Sequence, residues 1–326
     1  MKKKHILPIE CPDFTCHNYL TWSNAIVKAN AKQQAKTLLS SRYINCLYDE
    51  TSTNHKFVIS VYDHWCVNQK FMQYQTMELL KETYQKANID FVTLLKKCLL
   101  NHSYVFSCCT WQYIEKDIED PSLYLWYALV GYDDESQEFL LYGIDRDEQF
   151  SCFRVNYQTF ADANFATSSL KIYLTLWRPN PDAKIALDIP NMILDLEDYI
   201  RSSNRRGNAP ADAVYGFKAI DALCRHLCEL SEEKLPLPHA YLQKFMMHKI
   251  YMQNRIEELA QAQKIDPIHL EHARQNADRG KQAFDLGNQY NEIKDQTLAK
   301  GIVDLMLDSV KAEADYLPKI LLELKQ

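Results

Sequence analysis

Cys16 is the side chain with the clearest chemical potential in this chain. It stands in Asp13-Phe14-Thr15-Cys16-His17-Asn18, directly ahead of a helical pattern over residues 17–39. Unpaired backbone N–H groups and the positive end of a helix dipole favour a thiolate, the nucleophilic form of cysteine. The same donors suit the oxyanion of a tetrahedral intermediate. The competing reading is that Cys16 is one more small hydrophobe among ten cysteines, with Thr15 or Asp13 capping the helix.

The second chemical feature lies between Leu123 and Asp147, LYLWYALVGYDDESQEFLLYGIDRD. Apolar β-formers run to Gly131-Tyr132-Asp133, a polar turn of Asp134, Glu135 and Ser136 follows, and the chain returns through Phe139–Tyr142 to Asp145. Such a pattern predicts a β-hairpin. Other residues that titrate or bind metals are more isolated. Cys224, His226 and Cys228 share one helical stretch, but on a helix His226 points away from both thiols, and two ligands do not make a zinc site. No metal or cofactor is expected. With seven glycines, two of them before position 200, the chain holds neither a P-loop nor a GxGxxG pattern.

Several elements must position these groups. Helical periodicity is read over 17–39, Gln75–Ala87, Asp90–Leu100 and Tyr157–Ala163, and strands over Phe57–Tyr62, Tyr104–Cys109 and Leu170–Trp177. Composition changes after Arg178-Pro179-Asn180-Pro181 and again at SSNRRGNAP, residues 202–210. Beyond that point nearly everything is helical, over 211–230, 237–263, 266–298 and 301–324. The expected organisation is an α+β domain over 1–207 followed by an all-α helical lobe over 208–326.

Length and charge narrow the classes. A chain of 326 residues buries a large core, and a net charge of −6 without a basic block argues against a nucleic-acid partner. No apolar run reaches the length of a membrane span, and His5-Ile6-Leu7 after the opening lysines is too short for a secretory signal. A cytoplasmic location is expected, in keeping with scattered cysteines rather than a disulfide framework.

The order of a helix-leading Cys16, then YVFSCCTW, then YALVGYDDESQEFLLYGID resembles the papain-like domain of the butirosin-biosynthesis acyltransferase family. VYGFKAIDAL (214–223) and HAYLQKFMMHKIYMQNRIEEL (239–259) look like the helical region that follows that domain. The resemblance implies a papain-like fold, in which the thiol-bearing helix packs on a twisted antiparallel sheet. It also implies natural-product chemistry: a cysteine takes an acyl group from a carrier-protein thioester and passes it to an amine. Cys16 takes the place of the nucleophile and Asp145 that of the orienting residue, while Asp133 holds the turn.

The family histidine should stand six residues before Gly131, and that position is Leu125, between Tyr124 and Trp126. None of the three is a general base near neutral pH. His64 and His102 abut proposed strands and are the candidates for a displaced base; His17 and His55 are poorer ones. For each, a packed or solvated side chain is the competing reading. No glutamine upstream of Cys16 offers a side-chain oxyanion donor. Three hypotheses follow. The chain is a cysteine acyltransferase with an altered site, or an inactive homologue that binds a carrier protein or assembly-line enzyme. The third, a cysteine peptidase, is disfavoured because amide cleavage depends most on leaving-group protonation.

Overall fold

The computed structural model describes residues 3–11, 18–31, 34–42, 44–50, 56–59, 71–87, 89–114, 124–144, 150–180, 182–205 and 212–326, without the side chains of 18–20. Its elements in chain order begin with β1 (Lys4–Ile6), α1 (Asn18–Ala31), α2 (Ala35–Ser40), β2 (Leu47–Asp49) and β3 (Lys56–Val58). Next come β4 (Met72–Leu80), α3 (Lys81–Lys86), α4 (Phe91–Leu100), β5 (Tyr104–Thr110), α5 (Trp111–Ile114), β6 (Tyr124–Asp133) and β7 (Glu138–Ile144). They are followed by β8 (Phe150–Asn156), α6 (Tyr157–Phe165), β9 (Lys171–Pro179), α7 (Ile189–Arg201) and β10 (Val214–Tyr215). Four helices close the chain: α8 (Gly216–Glu232), α9 (His239–Gln261), α10 (His269–Ile293) and α11 (Gln296–Leu324). The architecture is α+β, with an antiparallel sheet and a helical C-terminal region. No helix among the described residues is long and apolar enough to cross a membrane.

Two compact units share the chain, each discontinuous: residues 1–33 with 65–184, and residues 34–64 with 185–326. The polar break at 206–210 lies outside the described residues.

The first unit is built on a sheet ordered β4-β9-β5-β6-β7-β8, with β1 added to the far end of β6. Every pairing in it is antiparallel. The expected hairpin is β6–β7, closed by a turn over 134–137 that Asp133 supports by accepting from the Glu135 amide at 3.2 Å. A register shift between Leu129 and Gly131 makes room for β1. A Cβ on Gly131 would lie 2.8 Å from the His5 carbonyl oxygen, so only glycine lets that strand approach.

One expected element is wrong. The stretch from Gln75 was read as helical to Ala87, yet Met72–Leu80 is a nine-residue strand and only Lys81–Lys86 is helical. Gln, Met, Glu and Leu are good helix formers, but β9 offers a partner along the whole strand, and cross-strand pairing outweighs that local preference. The long helix read over 17–39 is two helices, α1 and α2, which belong to different units.

The ends of the unit's helices are legible in chemical terms. Asp90 caps α4 by accepting from the Val92 and Thr93 amides, and Asn156 caps α6 through the Gln158 amide. Where the hairpin turn meets α4, the Lys96 ammonium is paired to Asp134, lies 4.2 Å from the Tyr157 ring centroid, and is largely buried. That ammonium, and then the Tyr157 hydroxyl donating at 2.9 Å, hold the Asp134 carboxyl below the usual range.

The second unit packs α9 against α10 and α10 against α11, with α7 and α8 also on α11 and the small β10-β2-β3 sheet beside α8. Gly216 opens α8 at φ 55°, where a Cβ would meet the Tyr199 carbonyl oxygen at 2.0 Å. The core holds a fully buried ion pair, Lys249 Nζ to Glu313 Oε2 at 2.7 Å. Tyr199 donates to the same carboxylate oxygen at 2.6 Å, and Lys249 lies 3.0 Å from the Tyr199 hydroxyl. Glu313 Oε1 has no protein partner. Beside it, the ring of His248 is buried, with Nε2 donating to the Ile44 carbonyl at 2.8 Å, and burial drives its pKa well down.

Candidate functional site

Cys16 and Asp145 lie outside the described residues, as do Asp13, His17, His55 and His64. The described elements on either side of the first two are informative. Trp22 of α1 packs on Phe106 of β5, with ring centroids 5.0 Å apart, and Asn30 donates to the Tyr104 hydroxyl at 2.9 Å. The helix therefore runs antiparallel to β5. Its first residue, Asn18, lies a turn beyond Trp22 toward the sheet end where β5 finishes. At that same end β6 begins with Tyr124 and β7 finishes with Ile144, the residue before Asp145.

Strand alternation then decides which side chains share the face covered by α1. Ala128 is opposite Phe106 and Trp126 opposite Cys108, so Trp126 projects to the α1 side. Leu125 is opposite Cys109 and projects to the other face, where Cys109 Sγ lies 3.3 Å from Asn164 Nδ2 of α6. Leu125, the residue reached by counting back from Gly131, therefore projects away from α1, and a register shift at Leu129/Gly131 lies between the two positions. The residue on the α1 face at this level of β6 is Trp126.

A groove opens on this face. Trp126, Tyr173, Thr175, Tyr74 and Thr76 line a cavity of about 460 Å³. A smaller one of about 160 Å³ shares Trp126 and Tyr173 and adds Cys108, Tyr124 and the Thr167–Ser169 turn among its walls. Among the described residues, the larger lining is aromatic rings and threonines, with no charged group. Sequence reasoning missed it. The signal was the alternation of Tyr173, Thr175 and Trp177 together with Tyr74 and Thr76, and reading β4 as a helix hid the second set.

His102 does not serve this site. It lies in the turn ahead of β5, at the opposite end of the strand from the α1 N-terminus, about 20 Å from Cys108 by strand rise. Its ring packs edge-on against His5, at 5.9 Å between centroids.

The described cysteines divide by surroundings. Burial pushes the thiol of Cys46 up to about 12, raises Cys109 well above its ordinary value, and raises Cys108 and Cys152. Cys224 is pushed up to about 12 by burial as well. These thiols are held protonated and are poor nucleophiles. Cys11, in the segment ahead of α1, is exposed and lies close to Tyr142 on the α1 face, which carries the N-terminal segment toward the end of β7. Among the described residues, no three His, Cys, Asp or Glu side chains converge as a metal site.

No family model matches the sequence, and no curated protein matches it significantly.

Proposed function

We propose that this chain is a papain-like protein of natural-product biosynthesis that holds the acyl-thioester arm of a carrier protein, as a binding module rather than a turnover enzyme. The observation that carries the reading is Trp126. It stands on the face of β6 that α1 covers, and it forms a wall of the groove. An indole there cannot relay a proton. It does offer a large apolar surface to an acyl group.

Further support comes from the order of parts. A helix begins at Asn18, two residues after Cys16 in the sequence, and packs on an antiparallel sheet. Its N-terminus is directed to the sheet end where the strand before residue 145 finishes. Helix, sheet and hairpin follow the order of a papain-like domain, and the groove beside the helix has the size and apolar character of a small-molecule site.

The test is thiol reactivity. With Trp126 in place of a base, Cys16 labels with iodoacetamide no faster than an ordinary free cysteine near pH 7, while pantetheine analogues still bind. Labelling many times faster, dependent on Cys16, overturns the reading.

The second reading is an acyltransferase that uses Cys16 to accept the acyl group and pass it to an amine. It is favoured by the sequence position of Cys16, two residues before α1 begins at Asn18, because a thiol held at a helix N-terminus forms thiolate more readily without help from a base. Incubation with acyl thioesters and intact mass measurement decides it: an acyl adduct that disappears in Cys16→Ala supports the transferase.

A further inference from the structure

The groove beside α1 has a floor and walls of different kinds. Thr76 and Thr175 are direct cross-strand partners and form a floor of small side chains. By alternation, Tyr74 and Tyr173 stand on the same face, two residues before each threonine, and Trp126 rises from β6 on the other side of β5. Rings border the space above the two threonines.

We propose that this groove selects a flat, uncharged aryl group, so that the acyl unit it takes is an aryl-acyl group rather than a straight alkyl chain. The proposal deepens the carrier-arm reading above and rests on it. Three rings around a small-residue floor fit a planar guest by stacking and edge contacts, each contributing roughly two- to tenfold in affinity beyond area burial. A flexible alkyl chain gains no such geometry and loses rotameric freedom when confined. The described lining of the larger cavity offers no charged side chain to pair with a charged guest. In the smaller one, the cation among the described lining residues, Lys171, is paired with Glu78 at 2.5 Å. Ser168 and Ser169 line that same cavity and offer hydroxyls to a carbonyl or ring substituent.

The experiment is calorimetric titration of the full chain with non-cleavable pantetheine amides carrying benzoyl, cinnamoyl, hexanoyl or octanoyl groups. The aryl amides are expected to bind about tenfold tighter than the alkyl ones. Tyr74 and Tyr173 are 53% and 37% exposed, so Tyr74→Ala and Tyr173→Ala leave the fold intact, as circular dichroism checks. Each is expected to lower aryl affinity several-fold and to leave octanoyl affinity within about twofold. Thr76→Trp, at an exposed position, fills the floor and abolishes binding of both classes. Equal or tighter alkyl binding, or aryl binding indifferent to both tyrosine substitutions, overturns the inference and leaves the carrier-arm reading standing. Failure of every pantetheine amide to bind overturns both.

Discussion

Removing the ammonium of Lys249 tests whether the buried pair in the helical unit is a true ion pair. Both side chains have zero exposure, and the Nζ–Oε2 distance is 2.7 Å. In Lys249→Met the volume is nearly kept, but Glu313 retains only the Tyr199 hydroxyl as donor, and its Oε1 had no protein partner to begin with. A carboxylate left so has one escape, which is to take up a proton. At pH 7, protonating a group of ordinary pKa near 4.3 costs about 3.7 kcal/mol, at about 1.36 kcal/mol for each of roughly 2.7 pH units. That figure caps the penalty and agrees with the range found for breaking buried pairs. The sign of its pH dependence follows. As pH falls toward 4.3 the proton is supplied more cheaply, so the penalty shrinks to about 1 kcal/mol at pH 5. Urea unfolding followed by helical circular dichroism at pH 7 and pH 5 measures both values. In the double variant Lys249→Met/Glu313→Leu no charge remains, and most of the lost stability returns. A penalty under about 1 kcal/mol at pH 7, or one that does not change with pH, would refute the reasoning.

Other outcomes are expected at the site and at two titrating groups. Trp126→His places a base on the α1 face; alkylation of Cys16 near pH 7 then rises by up to about thirtyfold, the ratio of full thiolate to the few per cent of a free thiol, as quenched labelling and peptide mass measurement will show. An unchanged rate would mean that Trp126 does not face Cys16. In Asp134→Asn the Lys96 pairing is lost. Because the folded carboxyl titrates below its unfolded value, the variant is less stable than the parent at neutral pH, and the two converge as pH falls below about 4, checked by urea midpoints. His248 stays neutral when folded and binds a proton when unfolded. The parent therefore loses up to about 2 kcal/mol between pH 6.5 and pH 5, and His248→Gln, which keeps a donor for Ile44, lacks most of that decline.

Much of the scaffold was legible from local chemistry. The β6–β7 hairpin, β5, β9, α4 and the C-terminal helices α8 to α11 fall where periodicity and turn residues place them. Capping aspartates and asparagine mark the starts of α4, α6 and α11. The start of α7, missed in the sequence, is also written there: Asp188 accepts from the Asn191 amide, and Pro190 stands in the first turn. What could not be read locally was set by distant partners. β4 is a strand because β9 lies alongside it, and β8 was missed although it pairs with β7 over its full length. At the site, counting back from Gly131 reaches Leu125, which projects to the face away from α1. Only the pairing of Trp126 with Cys108, and the shifted register further along, tell which residue of β6 faces the helix.

The division of the chain into two interleaved units bears on the sequence of events during synthesis. Residues 34–64 emerge early and β2 can pair with β3 at once, yet its second antiparallel neighbour comes only at Val214–Tyr215, and the packing partner of α2 only in α9. The sheet, by contrast, is complete once Pro179 has left the ribosome. A nascent chain halted near residue 200 would therefore carry a finished sheet together with a stranded loop whose apolar Leu38, Ile44 and Phe57 have nowhere to go. Chaperone capture or proteolytic cutting of such an intermediate should fall within that early excursion, well away from the strands on either side of it.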